Sequence, residues 1–140
     1  VPIPEPSPPF AEGRAILEGD DGSVLLRIEI AEQPSQQAQG LMFRECLASD
    51  SGMAFIFFET TDTSFYMKDT LIPLSIAFFD DRGEILRILD MEPCTEEPCE
   101  LYDPGVSFNG AFEVNQGSFA EWGIEEGDSI RITQNDRNPF

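Results

Sequence analysis

Histidine is missing from this chain, lysine occurs once, at Lys68, and there are only three cysteines in 140 residues. Without histidine, the commonest general acid–base and the commonest metal ligand are unavailable. Basic side chains are scarce: 8 Lys plus Arg stand against 27 Asp plus Glu, for a formal net charge of −19. Such a chain repels nucleic acid and anionic lipid surfaces, so no nucleic-acid partner is expected. No run approaches the ~20 apolar residues of a membrane span. Phosphate-binding glycine loops, nucleophile elbows and dinucleotide motifs are absent as well.

What the chain does have is apolar mass. It is 41% hydrophobic with 12 Phe, which a disordered protein would not carry, and its length suits one domain. Residues 1–12 read as a tether or tail. Five prolines in the first nine residues favour extended polyproline II, roughly 28 Å long at ~3.1 Å per residue. The chain begins at Val1 without a signal peptide. The expectation is a mature or trimmed extracytoplasmic protein, peripheral to the membrane through an anchor or signal lying outside this sequence.

From residue 13 to 135 the pattern is that of one β-rich domain, with 136–140 as a tail. Arg14–Glu18 and Val24–Ile30 flank the turn signal Gly19-Asp20-Asp21-Gly22, and apolar residues alternate along the second of them. Pro34-Ser35 opens a short helix to about Leu41, with Ser35 as its cap. Met53–Phe58 and Ile76–Phe79 are apolar on both faces, as in central strands. Between them, Ser64, Tyr66 and Lys68 alternate with Phe65 and Met67. Glu84–Met91 is a further strand. Phe112 and Val114 are expected inside, with Glu113 and Asn115 outside. Ile130 and Ile132 mark a last strand. The predicted fold is mainly β, a β-sandwich or barrel, in which short helices near 35–41 and 118–122 cover an outer sheet face.

Three stretches carry a family resemblance: Gly40-Leu41-Met42-Phe43-Arg44, then Gly52-Met53 before an aromatic strand, then Phe65-Tyr66-Met67-Lys68-Asp69-Thr70-Leu71-Ile72-Pro73-Leu74. Met91-Glu92-Pro93, Tyr102, Glu113-Val114-Asn115 and Gly127-Asp128 continue it. Over roughly residues 14–133 the chain resembles Domain of Unknown Function 192, a small, often exported bacterial and archaeal family. The resemblance implies a β-sandwich of jelly-roll type and no established activity. The family usually has Trp where Tyr66 stands, Asn where Asp69 stands and Arg where Gln37 stands.

Cys94 and Cys99 lie five apart in a proline-flanked loop. A disulfide is the favoured reading. Zinc is the rival, although without His it would need Cys46 and carboxylates. Cys46 has no base to activate it and reads as a small buried hydrophobe. The candidate ligand-binding residues are Arg44, Tyr66, Lys68, Asp69, Thr70, Glu113 and Asn115, whose ring, cations and carboxylates would suit a sugar or an anionic polymer. The competing reading is a structural ion pair of Lys68 or Arg44 with Glu113. Acid pairs able to run glycoside hydrolysis arise by accident among 27 acids. The Asp-rich turns at 20–22 and 80–83 lack calcium-loop spacing.

These residues favour a binding module for an envelope carbohydrate or protein partner, with no cofactor, over a carboxylate-dependent hydrolase of a cell-wall polymer. The charge itself makes a prediction. Stability should rise from low to molar sodium chloride as salt screens self-repulsion. A melting temperature that stays flat or falls across that range would contradict it.

Overall fold

The computed structural model describes residues 9–135. Most of the proline-rich segment and all of the tail from 136 lie outside the described residues. The chain runs β1 (Ala11–Gly19), β2 (Gly22–Ala31), α1 (Pro34–Gln39), β3 (Ser51–Thr61), β4 (Leu74–Phe79), β5 (Ile85–Met91), β6 (Phe108–Asn115), α2 (Ser118–Glu121) and β7 (Ser129–Gln134). The fold is mainly β, with two short helices, as the sequence pattern predicts. β1 and β2 form the predicted hairpin, closing at Gly19 and Gly22.

One seven-stranded sheet holds the strands in the order β5-β4-β6-β3-β2-β1-β7. β2 and β3 pair in parallel, with α1 in the crossover between them, and the other named pairs are antiparallel. The sheet curls until its two edges touch at one end. There Glu84 bridges Ser129, and Ile85 N–H donates to the Asp128 carbonyl at 2.8 Å. The result is sandwich-like and not a closed barrel.

Both faces of the sheet are greasy, so there are two cores. The first takes residues from all seven strands, among them Leu17, Leu26, Ile28, Ala54, Phe79, Ile85, Phe112, Val114 and Ile130. The second lies on the opposite face of β3 to β6 and includes Met53, Phe55, Ile76, Phe78, Met91 and Phe108. β4 is buried at every position because it contributes alternately to the two.

The covering of these cores departs from the sequence reading in four places. α1 starts with Pro34 in its first turn and Gln33, not Ser35, at the cap. The side-chain oxygen of Gln36 accepts from the Gln33 N–H at 3.1 Å, which supplies the reciprocal bond. α2 does not lie over the outer face. Phe119 joins the first core and meets Phe112 at 6.3 Å, so this helix plugs the curled sheet. The 63–68 segment is not a regular strand and is held by bridges of Phe65 to Tyr102 and Lys68 to Cys94. Its alternation is real all the same, because Phe65 and Met67 pack down on the second core. Cys46 is exposed, contrary to its reading as a buried hydrophobe. Leu47 is the residue of that connection that turns inward.

Gly52, in β3, marks a tight approach between β3 and β6. A Cβ there would lie 2.6 Å from the Phe112 ring and 2.7 Å from the Glu113 carbonyl oxygen. Gly52→Ala should therefore cost about 1–3 kcal/mol by overpacking. Urea unfolding of the two proteins checks this, and an unchanged midpoint would contradict the close approach.

Candidate functional site

β6 lies in the middle of the sheet between β3 and β4, and Glu113 lies near the end of β6. Its cross-strand neighbours are Met53 of β3 and Ile76 of β4. Strand alternation puts Phe112 and Val114 into the first core and therefore turns Glu113 toward the second. The predicted outward carboxylate is thus buried, at 5% exposure. Outward is no longer wet once both sheet faces are covered.

Above Glu113 the chain leaves a cavity of about 280 Å³. α1 and the turn after it form one wall, through Gln37, Gly40 and Met42. The 63–70 segment forms another, through Ser64, Phe65, Tyr66 and Thr70, and Phe55 and Phe57 of β3 contribute their rings. Gly40, at φ +49°, supplies the backbone turn that ends α1, and a Cβ there would meet Phe55 at 3.4 Å. Gln37 is pinned in place: its Nε2 donates to the Ile56 carbonyl at 2.8 Å and the Ala31 carbonyl at 3.3 Å.

The rim carries strain. Phe43 (φ +66°) and Asp69 (φ +56°) both adopt left-handed backbone, and the Phe43 N–H donates to the Asp69 carbonyl at 2.7 Å. Such residues cost of order 1–3 kcal/mol each and tend to gather at functional sites. Here they clamp the Met42 wall to the Thr70 wall. Thr70 is fixed as well, with its hydroxyl on the Lys68 carbonyl at 3.2 Å.

Glu113 makes no hydrogen bond or ion pair among the described residues. No buried side-chain oxygen or nitrogen there is both sealed from solvent and unpartnered, so its carboxyl keeps contact with the cavity. Burial pushes its pKa up to about 8. At neutral pH the group is therefore mostly protonated, and it can donate as well as accept a hydrogen bond.

The other sequence-selected residues divide. Tyr66, Thr70 and Glu113 line the cavity, and Arg44, Lys68, Asp69 and Asn115 do not. Arg44 forks onto Glu29, with Nη2 3.0 Å from Oε2, and its charge sits 5.9 Å from the Phe10 ring. Hydrogen bonding to Glu29 raises the pKa of Arg44. Lys68 pairs with Glu97 at 3.2 Å, and that hydrogen bond raises the pKa of the lysine. Neither cation pairs with Glu113. The Asn115 amide donates to the Leu47 carbonyl at 2.7 Å and holds the 44–50 connection on the sheet. Cys94 and Cys99 are disulfide-bonded, so neither is free to be a zinc ligand, and the loop they close carries Glu97 against Lys68.

Sequence reading did not select Gln37, Gly40, Phe55, Phe57 or Phe65 as site residues. The three rings gave no sign, because aromatic residues serve cores far more often than cavities, and Gln37 was marked only as standing where the family usually has Arg. The usable clue was Glu113 itself, a charged residue inside the otherwise apolar run Ala111–Val114.

Comparison with known proteins places the chain. It belongs to Domain of Unknown Function 192, the family described as an uncharacterized ACR, which it matches over residues 15–132. It is similar to a Sinorhizobium meliloti protein provisionally described as a transcription regulator. Identity is 32%, over 91% of this chain and 98% of that one, with a TM-score of 0.84. A protein of unknown function from Novosphingobium aromaticivorans is 29% identical, over 84% of this chain and 83% of that one, with a TM-score of 0.78. No curated protein matches the chain.

Burial of Glu113 sets a pH dependence of stability. Its folded pKa lies above the ordinary value of 4.5, so the folded state holds the proton more tightly. The stabilisation is full below about pH 4.5 and is lost as pH rises through about 8. Every tenfold gain in proton affinity is worth about 1.4 kcal/mol, which makes the loss several kcal/mol. Glu113→Gln should melt much like wild type near pH 5 and well above it near pH 8.5. Parallel melting curves across that range would show that Glu113 titrates normally.

Proposed function

We propose that this chain is an extracytoplasmic, non-enzymatic binding module whose cavity takes one sugar unit of an envelope carbohydrate. The observation that carries the reading is the aromatic-walled cavity with an unpartnered carboxyl buried at its floor. Rings present flat apolar faces, while Gln37, Ser64, Thr70 and the un-ionised Glu113 offer hydrogen-bonding groups. A sugar presents the same mixture of apolar C–H faces and hydroxyls. The volume, about 280 Å³, suits a single ring better than a drug-sized ligand.

Three features argue against the alternatives. Glycoside hydrolysis ordinarily uses two carboxyl groups flanking the scissile bond, and Glu113 is the one acid among the described residues that line the cavity. Glu29 shares its cross-strand row but stands two strands away, roughly 10 Å, and is occupied by Arg44. Among the described residues no Lys or Arg lines the cavity, which disfavours the anionic-polymer version of the ligand. The regulator description of the S. meliloti protein offers a nucleic-acid reading, which a net charge of −19 opposes. The disulfide supports an oxidising compartment.

The test is a glycan array followed by titration of any hit. Binding to a restricted set of envelope glycans is expected, with Tyr66→Ala weakening it about tenfold through loss of a ring contact worth ~1 kcal/mol or slightly more. An array with no signal above background would end the sugar reading.

A further inference from the structure

The cavity's ligand can be defined further, on the reading of that cavity as a sugar site. We propose that the bound sugar unit carries a free ammonium group and that Glu113 is its counter-ion. Neutral hydrogen bonding is already available from Gln37, Thr63, Ser64 and Thr70 on the walls. A buried carboxyl adds what a glutamine at the same place could not, namely a negative charge.

Among the described residues, none compensates that charge. On either side of Glu113 along the sheet are Met53 and Ile76, both apolar. α1 brings only Gln37, Ala38 and Gln39 to the cavity, and the 63–70 segment brings Tyr66 as its one titratable group. Beyond Met53 in the same row, Glu29 is satisfied by Arg44. Lys68, the next cation by sequence, is held by Glu97. An ionised Glu113 would therefore stand alone in an apolar site, which is costly unless a cation arrives with the ligand.

An ammonium fits the rest of the cavity as well. Phe55, Phe57, Phe65 and Tyr66 surround it, and aromatic faces attract cations. The net charge of −19 raises the local concentration of any cationic ligand and lowers that of an anionic one. The exchange is simple. The ligand enters as R–NH3+, the Glu113 carboxyl gives its proton to solvent, and an ammonium–carboxylate pair remains. No covalent bond changes within the ligand.

Glucosamine oligomers and their N-acetylated counterparts test this, titrated calorimetrically between pH 5 and 6.5 in buffers of different ionisation enthalpy. The amine form should bind at least tenfold more tightly than the acetylated form at pH 6.5. It should release about one proton per site and gain about tenfold in affinity per pH unit, because binding requires the carboxylate. The acetylated form should show neither effect. Glu113→Gln, confirmed folded by its melting curve, should lose the amine preference and the pH dependence. Equal affinity for the two forms, or amine binding without proton release, would overturn the ammonium assignment and leave the sugar site standing. Failure of both forms, together with a silent glycan array, would remove the sugar site itself.

Discussion

A carboxyl group on a sheet that is covered on both faces is the constraint around which this structure is organised. Glu113 cannot be solvated as it would be on an exposed strand, and among the described residues no arginine or lysine has moved in to neutralise it. Its position among Met53, Ile76 and Phe55 follows from strand alternation: Phe112 and Val114 anchor β6 in the first core, which commits Glu113 to the second. Shifting the register by one residue would turn the acid into the first core and pull Phe112 and Val114 out of that core, a far worse exchange.

The surroundings of Glu113 limit its contact with bulk water without filling its space. Gln37 is tied to two backbone carbonyls, the Phe43–Asp69 contact joins two strained turns, and the Thr70 hydroxyl closes its own turn. Farther out, Lys68 with Glu97 and the Cys94–Cys99 bridge steady the segment that carries Tyr66. The surface pairs contribute little energy individually. Their effect is on geometry, because the cavity wall is a loop and not a strand, and a loop needs such ties to hold one shape.

Arg44 and Asn115 show how residues of a family motif can be structural. Arg44 locks the turn after α1 onto β2 through Glu29, and Asn115 holds the following connection to the end of β6. Together they fix the crossover between the one parallel pair of named strands, and that crossover carries the Gly40 and Met42 wall. Both residues therefore act on the cavity from outside it.

Hydrophobic pattern alone determined the class of fold. Alternating runs at 24–30, doubly apolar runs at 53–58 and 76–79, and turn-forming Gly and Asp residues leave little choice but sheet, and the spacing of Cys94 and Cys99 admitted a disulfide. The long middle motif carried the family. What local pattern could not reach was the partner of each charge. Arg44, Lys68 and Glu113 were legible as a charged set, yet the pairs join Arg44 to Glu29 and Lys68 to Glu97, across 15 and 29 positions of chain. Whether a strand's polar face meets water depends on what packs over it, and that is a property of the whole fold. For Glu113 the tertiary structure alone decided that the covering would be an aromatic cavity and not solvent.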